Sequence, residues 1–152
     1  MGLDPGLTYT GWAIVSTHPI ERFVCKAYGR IQTSVRKSIS ERLVHIHDVL
    51  LSVCETWMPH CAAIEQIFVN SNPVSSLKLG LARGVALMTP GRLQISVTEY
   101  SANTVKKSVT GNGHASKEQV LKMLKQIFHQ TLSSYDSSDA LAVALCHGFH
   151  LK

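Results

Sequence analysis

Residues 61–69 read CAAIEQIFV, a short run that is almost entirely apolar. A run of this length is typical of a strand buried on both faces, as in a parallel sheet covered by helices. Helical patterns flank it, because apolar residues recur at steps of three and four over residues 38–57 and again over 73–88. The segment therefore predicts an α/β fold with this strand inside the sheet.

The remaining segments extend this pattern in both directions. Residues 11–17 and 22–33 are rich in strand-forming side chains and are separated by the turn-like HPIE at 18–21, which predicts a hairpin. Another strand is predicted at 93–100, followed by helices at 101–109, 116–130 and 138–149. The order β-β-β-α-β-α-β-α-α-α predicts a mixed sheet with helices on its faces, and a single domain spanning residues 1–152.

Prolines set several predicted boundaries. Pro59 ends the first helix, and Asn72-Pro73 is typical of an N-cap followed by the first helical residue. Pro90 follows the pattern of the second helix, and proline in a helix interior costs about 3 kcal/mol. We therefore expect that helix to kink or end near Met88.

The composition describes a soluble globular protein, with 45% hydrophobic and 16% charged residues. No apolar run reaches membrane-spanning length, and no basic start followed by an apolar segment indicates a secretory signal. The four cysteines form no C-x-x-C pair. Scattered cysteines among apolar neighbours are typical of reduced core residues, which predicts a cytoplasmic protein.

The formal net charge is +5, and the excess is concentrated in the middle of the chain. Residues 66–130 contain two acidic residues, Glu99 and Glu118, and eight basic residues, namely Lys78, Arg83, Arg92, Lys106, Lys107, Lys117, Lys122 and Lys125. An excess of this kind suits a polyanionic partner such as nucleic acid. Charge alone barely favours that partner over an ordinary solvated surface.

Four carboxylates stand out among only ten acidic residues. Glu65 lies within the apolar strand, where a carboxylate is costly unless it is paired, hydrogen-bonded or bound to metal. Asp4 precedes a Pro-Gly turn, and both would lie near strand ends, where open α/β sheets place ligand sites. Asp136 and Asp139 could join them from a helix start. Taken one at a time, Asp4 suits a turn, Glu65 a solvent-facing strand end, and Asp136 and Asp139 the N-cap and N3 positions of a helix.

Four segments together resemble the RuvC-type Holliday junction resolvases. They are GLDPGLTYTGWAIV (2–15), AIEQIFVNSNPVSSLKLGLARGVAL (63–87), EYSANTVKKSVTGNGHASKEQV (99–120) and YDSSDALAVALCH (135–147). The resemblance covers nearly the whole chain in the right order and spacing. It implies a ribonuclease H-like fold, with a five-stranded mixed sheet of order 3-2-1-4-5 and flanking helices. It also implies a homodimer that cuts two symmetry-related strands of a four-way DNA junction, and a partnership with the branch-migration proteins RuvA and RuvB.

The same resemblance implies that Asp4, Glu65, Asp136 and Asp139 are the catalytic acids and the metal ligands, with Asp4 as the candidate bridging ligand. Carboxylate oxygens suit Mg²⁺, which keeps several waters and is completed by substrate phosphate. Two ions about 4 Å apart can activate a water and stabilise the leaving oxygen of an in-line displacement, and Mn²⁺ is the expected substitute for Mg²⁺. The expected products carry 5′-phosphate and 3′-hydroxyl ends.

Further positions gain a DNA-binding role from the resemblance. Phe68 matches a phenylalanine that contacts bases at the junction centre, although core packing explains the residue by itself. Lys106 and Lys117 match basic residues near the scissile phosphates, and the neighbouring Lys107 is a weaker candidate. SKEQ (116–119) is a capping-box sequence that places Lys117 at the first helical position. A cation there opposes the helix dipole by roughly 0.3–1 kcal/mol, and a bound phosphate would offset this mismatch.

One departure and two rival functions accompany the resemblance. Only Met1 precedes Gly2, whereas the family has several apolar residues there, so we expect a short first strand. GLDPGLTYTGWAI also resembles the phosphate hairpin of the sugar kinase and actin superfamily, but no second phosphate loop or adenosine-binding segment follows. A non-catalytic junction-binding protein is the other alternative. Loss of a catalytic carboxylate would mark such a protein, and all four are present.

Overall fold

A computed structural model describes residues 1–20, 22–66, 73–129 and 135–151, and only the backbone of Tyr135 and Asp136. Five strands and five helices lie within these ranges, in the predicted order. They are β1 (Gly2–Asp4), β2 (Tyr9–His18), β3 (Arg22–Gln32), α1 (Ile39–Trp57), β4 (Cys61–Glu65), α2 (Pro73–Arg92), β5 (Ser96–Tyr100), α3 (Ala102–Thr110), α4 (Lys117–Phe128) and α5 (Tyr135–His150).

The five strands form one mixed sheet in the order β3-β2-β1-β4-β5, as the resemblance implied. Strand β1 pairs antiparallel with β2 and parallel with β4, which in turn is parallel to β5. At three residues β1 is short, as expected, and it lies at the centre of the sheet. The pairing of Leu3 with Ile64 places the ends of β1 and β4 side by side.

Each face of the sheet carries its own apolar core. Helices α3, α4 and α5 cover one face, and every residue from 140 to 146 in α5 is buried there. Helices α1 and α2 cover the other face, where Ile46 and Leu50 pack with Leu3 and Ile64. None of the described helices combines the length and apolar character needed to cross a membrane.

Helix α5 approaches β1 so closely that only glycine fits at position 2. A Cβ atom built on Gly2 would lie 2.1 Å from the carbonyl oxygen of Ala140 and 2.5 Å from the amide nitrogen of Ala144. Both of these atoms belong to the backbone of α5, so rotating a side chain cannot relieve the collision. The contact fixes how closely this helix packs on the central strand.

Of the two outcomes predicted near Met88, a kink or an end of the helix, the end is wrong, because α2 continues to Arg92. Pro90 lies in its last turn, where the absent N–H removes a single bond near the helix end. Its ring is buried, and its carbonyl accepts hydrogen bonds of 3.0 Å from the amides of Leu93 and Ile95. Burial and these bonds offset the cost of proline at this position.

Two other predicted element starts differ from the structure by three residues. Strand β5 begins at Ser96 rather than 93, because Gln94 has a positive φ of 60° and donates to Gly91 in a turn. Helix α5 begins at Tyr135 rather than 138, so Asp136 lies inside the helix and the N-cap alternative for it is wrong. A carboxylate in the first turn is still favoured by the helix dipole.

We predict that Gly2→Ala will lower the melting temperature by several degrees. The added methyl would force α5 away from β1, and overpacking of this kind typically costs about 1–3 kcal/mol. Gly91→Ala is the matched control, since a Cβ there has nothing within 4 Å, and it should leave stability unchanged or raise it. Thermal melting followed by circular dichroism checks both variants, and equal melting of Gly2→Ala and wild type would contradict the prediction.

Candidate active site

Three of the four predicted carboxylates line one cavity at the carboxyl ends of two neighbouring strands. Asp4 is the last residue of β1, Glu65 is the last residue of β4, and Asp139 enters from α5. The cavity measures about 330 Å³. Its other lining residues are Ala102, Val105, Lys106, Lys117, Val120 and Ala142. The structure thus brings together three predicted ligands and two predicted DNA-binding lysines.

The turn after Asp4 is fixed by hydrogen bonds and by a buried arginine. The hydroxyl of Thr10 donates to the carbonyl of Gly6 at 2.8 Å and accepts from its amide at 3.3 Å. The guanidinium of Arg42 donates to the Thr33 hydroxyl at 2.8 Å and to the Leu7 carbonyl at 3.1 Å. These contacts hold the hairpin against α1, directly beyond the strand that carries Asp4.

An arginine fixes the end of β4 in a similar way. From the sequence, this residue contributed only to the excess of positive charge in the middle of the chain. Arg83, on α2, donates to the backbone carbonyl of Glu65 and forms an ion pair with Glu99 on β5. The sequence does contain a signal, because Arg83 follows Ala82 and precedes Ala86 on the side of α2 that faces the core. A charged residue at such a position requires a buried partner.

Like charges are crowded in the cavity. Burial raises the pKa of the Glu65 carboxyl, and the nearby Asp139 raises it further, while Lys106 and Lys117 oppose this rise. The ammonium of Lys117 lies 3.2 Å from Oδ2 of Asp139. Asp139 is the main reason that the pKa of Lys117 is raised, and Asp4 and Glu65 contribute as well. The negative charge of the site therefore holds Lys117 protonated.

Local structure places Lys117 at the cavity, as the capping-box sequence predicted. Ser116 is the N-cap of α4, and its hydroxyl accepts from the amide of Gln119 while the Gln119 side chain accepts from the Ser116 amide. Lys117 is the first helical residue, where a cation opposes the helix dipole. In the folded chain, the ion pair with Asp139 offsets the unfavourable interaction between Lys117 and the helix dipole.

The donor set fits a hard divalent cation. Within the described ranges, no three His, Cys, Asp or Glu side chains stand close enough to form a closed metal cluster by themselves. Asp4, Glu65 and Asp139 nevertheless share a cavity, where burial and the charge of Asp139 raise the pKa of Glu65, and a cation there would favour the ionised carboxylates. Mg²⁺ needs only a few carboxylates, since waters and substrate phosphate complete its coordination.

The other predicted site residues either line a different groove or have side chains that the structure does not describe. Lys107 lines a separate groove of about 740 Å³, which also contains Asn112, His114 and His150. Phe68 lies in residues 67–72, outside the described ranges. Asp136 has its backbone in the first turn of α5, and its side chain is not described.

The arrangement agrees with what sequence similarity shows. The family described as "Crossover junction endodeoxyribonuclease RuvC" matches residues 1–147. The chain belongs to the RuvC family. A crossover junction endodeoxyribonuclease RuvC from Ehrlichia canis (strain Jake) is 45% identical over 98% of this chain and 95% of its own length. Another, from Paramagnetospirillum magneticum, is 46% identical over 99% of this chain and 90% of its own length.

Solved RuvC structures share the fold. T. thermophilus RuvC in complex with a Holliday junction substrate superimposes with a TM-score of 0.92 at 30% identity, covering 98% of this chain and 92% of that chain. The yeast mitochondrial Holliday junction resolvase Ydc2, at 12% identity, superimposes with a TM-score of 0.65 over 97% of this chain and 77% of its own, which shows a common fold. The RuvC fold is ribonuclease H-like, and RuvC proteins are metal-dependent nucleases, so the predicted fold class and family are confirmed.

The raised pKa of Glu65 generates a stability prediction. Because folding disfavours the ionised carboxyl, its charge lowers the free energy of unfolding at neutral pH. We expect metal-free Glu65→Gln to melt above wild type at pH 7. The difference should disappear as the pH falls below the ordinary glutamate pKa of 4.5, where Glu65 is protonated in both the folded and unfolded states.

Glu118→Gln provides a control of opposite sign, since hydrogen bonding at Ser116 lowers the pKa of Glu118. Loss of that carboxylate should lower the melting temperature slightly at pH 7. Melting curves in EDTA at pH 7 and pH 4 check both variants. A Glu65→Gln protein that melts below wild type at pH 7 would show that the ionised carboxyl stabilises the fold, contrary to the prediction.

Proposed function

We propose that this chain resolves four-way Holliday junctions, as a metal-dependent endonuclease that nicks two symmetry-related strands during recombination and repair. The observation that carries this proposal is the meeting of Asp4, Glu65 and Asp139 in one cavity of a RuvC fold. A non-catalytic junction-binding protein would have no need for this crowded carboxylate cavity. The kinase-like alternative is excluded by the family assignment.

Four carboxylates, from Asp4, Glu65, Asp136 and Asp139, hold the metal in this proposal, and Mg²⁺ is the ion that the oxygen ligands suit best. Asp4 is the candidate bridging ligand, since its strand both pairs with β4 and contacts α5. Two ions held by these carboxylates would supply an activated water and stabilise the leaving oxygen. Hydrolysis then leaves 5′-phosphate and 3′-hydroxyl ends.

The lysines of the cavity bind the DNA backbone beside the reacting group. Lys117 neutralises Asp139 in the metal-free protein, and its ammonium, at the cavity wall, is within reach of a phosphate held there. Lys106 lines the same cavity. Their positive charge stabilises the negative charge that grows on the phosphate in the transition state.

Two further contacts extend the DNA path outside the catalytic cavity. Lys107 and His114 line a groove along α3, where their side chains suit the phosphates of a junction arm. We assign Phe68 to stacking against bases at the junction centre, by its match to the family's phenylalanine. The DNA is thus bound by charge along its arms and by an aromatic ring at its centre.

The protein acts as a homodimer in this proposal, because a two-fold pair of sites matches the two-fold symmetry of paired nicks. Helix α2 supports it with an exposed apolar face, where Val74 is 61% and Leu77 is 68% exposed. On the same helix, a Cβ at Gly80 or Gly84 would meet nothing within 4 Å. Packing within the chain therefore does not require these glycines, which would let a second α2 approach closely.

The proposed cellular location and protein partners are those that the family implies. We place the protein in the cytoplasm as one nuclease domain, consistent with four free cysteines in the structure. RuvA and RuvB, the branch-migration proteins, are the proposed partners that deliver the junction. Purified RuvA and RuvB stimulating cleavage of a long junction would support this partnership.

The carboxylate assignment predicts that Asp4→Asn, Glu65→Gln, Asp136→Asn and Asp139→Asn will each abolish most Mg²⁺-dependent cleavage. The amides keep the volume and remove the charge that holds the metal. Junction binding should stay unchanged or tighten, because removing a carboxylate reduces the electrostatic repulsion between the site and the DNA phosphates. Gel shifts and single-turnover cleavage of a synthetic junction check this. Full cleavage by Asp136→Asn would contradict a metal-binding role for that residue and leave it only a place in the first turn of α5.

Lys117→Ala should slow single-turnover cleavage far more than it weakens junction binding, because each phosphate contact supplies only part of the affinity. Lys107→Ala is the matched control. It should weaken binding modestly and reduce the slope of the logarithm of the binding constant against the logarithm of the salt concentration by about one. The cleavage rate of bound junction should stay unchanged. Equal losses of binding and cleavage in Lys117→Ala would make that residue a general backbone contact.

Replacing Gly84 by Leu should convert the dimer to a monomer while the chain stays folded. The new side chain enters open space in the single chain but would block close packing of two α2 helices. Glu55→Leu places the same side chain at an exposed position of α1 and should leave the dimer intact. Light scattering at micromolar concentration checks both variants, and a dimeric Gly84→Leu would remove α2 from the contact.

A further inference from the structure

Arg83 is the one arginine of α2 that points into the sheet rather than into solvent. It is 8% exposed, between Ala82 and Ala86, which are fully buried. Burying a guanidinium among apolar residues is costly unless the charge is paired and its donors are satisfied. The contacts that satisfy it should therefore indicate why the charge is there.

Its planar group reaches two neighbouring strands at once. Nη2 lies 2.6 Å from Oε2 of Glu99, which pairs with Ile64 across β4 and β5. Nη1 donates to the backbone carbonyl of Glu65 at 2.5 Å. The fork thus joins a carboxylate on β5 to the main chain of the residue whose side chain enters the catalytic cavity.

Pairing with β5 also restrains the backbone at this point. The regular pairing of β4 ends at Glu65, and the next amide, of Gln66, donates to the Tyr100 carbonyl at 2.7 Å. The Glu65 side chain lines the same cavity as Asp139, so their negative charges repel each other. A strand end under such repulsion can relieve it by moving away from the cavity, and fixing the main chain prevents that movement.

We propose that Arg83 is a positioning residue for metal binding: by holding the Glu65 carbonyl, it keeps the Glu65 carboxylate in the cavity where the metal ligands converge. Arginine suits this role because its rigid fork can serve two acceptors at once, whereas lysine offers a single ammonium. The proposal rests on the proposed function, since Glu65 must be a metal ligand.

Arg83→Met tests this, because methionine keeps much of the apolar stem and removes both donors. Removing the partner that orients a metal ligand typically costs 10–100-fold in metal affinity or activity. We expect at least a tenfold higher half-saturating Mg²⁺ concentration in single-turnover cleavage. Mn²⁺ titrated calorimetrically into the protein, free and bound to an uncleavable junction, should bind weaker by a similar factor. Junction affinity in EDTA should stay within twofold of wild type.

Two controls separate positioning from general stability. Leu50→Ala opens a cavity in the core on the α1 side and lowers the melting temperature without contacting the catalytic cavity, so its metal response should match wild type. Glu99→Gln removes the ion pair but leaves the Glu65 contact, so its effect should be several-fold smaller than that of Arg83→Met. Equal effects of Glu99→Gln and Arg83→Met would assign the role to the ion pair and overturn the proposal.

Arg83→Lys keeps the charge and should fall between wild type and Arg83→Met, with a metal response at least threefold weaker than wild type. It decides the matter if Arg83→Met does not fold. A wild-type metal response in every Arg83 variant that folds, despite a lower melting temperature, would make Arg83 a structural residue only. If the wild-type protein cleaves no junction with any divalent ion, the proposed function fails, whereas the Mn²⁺ calorimetry still reports on Arg83.

Discussion

The close contact between Gly2 and the backbone of α5 is the constraint on which the rest of the site depends. Gly2 lies two residues before Asp4, and Ala140 directly follows Asp139. Because the missing side chain lets α5 lie against β1, one backbone contact sets the distance between two carboxylates from opposite ends of the chain. The small residues of α5 and the burial of 140–146 keep that helix in place.

Bringing carboxylates together creates repulsion that the fold must withstand without metal. Lys117 neutralises part of it by its contact with Asp139. Arg42 holds the turn beyond Asp4, and Arg83 holds the main chain of Glu65. These two arginines act on backbone carbonyls, so they restrain the strand ends through the main chain.

Helix α2 connects the catalytic cavity to the surface proposed for dimerisation. Its buried side carries Arg83, which contacts Glu65, and its exposed side carries apolar residues and unconstrained glycines such as Gly84. Pro90 in the last turn is buried and does not stop the helix, so α2 keeps its full length along the sheet. A contact between two copies through the exposed side of this helix would therefore lie next to Arg83, which contacts the main chain of Glu65.

The sequence by itself determined the order of elements, the strand that holds Glu65 and the capping box at Ser116, because these depend on local periodicity and on motifs. Through family resemblance it also predicted the candidate catalytic acids. It could not determine the end of α2 or the role of Arg83, which depend on what surrounds Pro90 and that guanidinium in the folded chain. Only the tertiary structure decided that residues 4, 65 and 139 share a cavity. Their convergence requires strand pairing and the docking of α5, and sequence spacing carries no information about either.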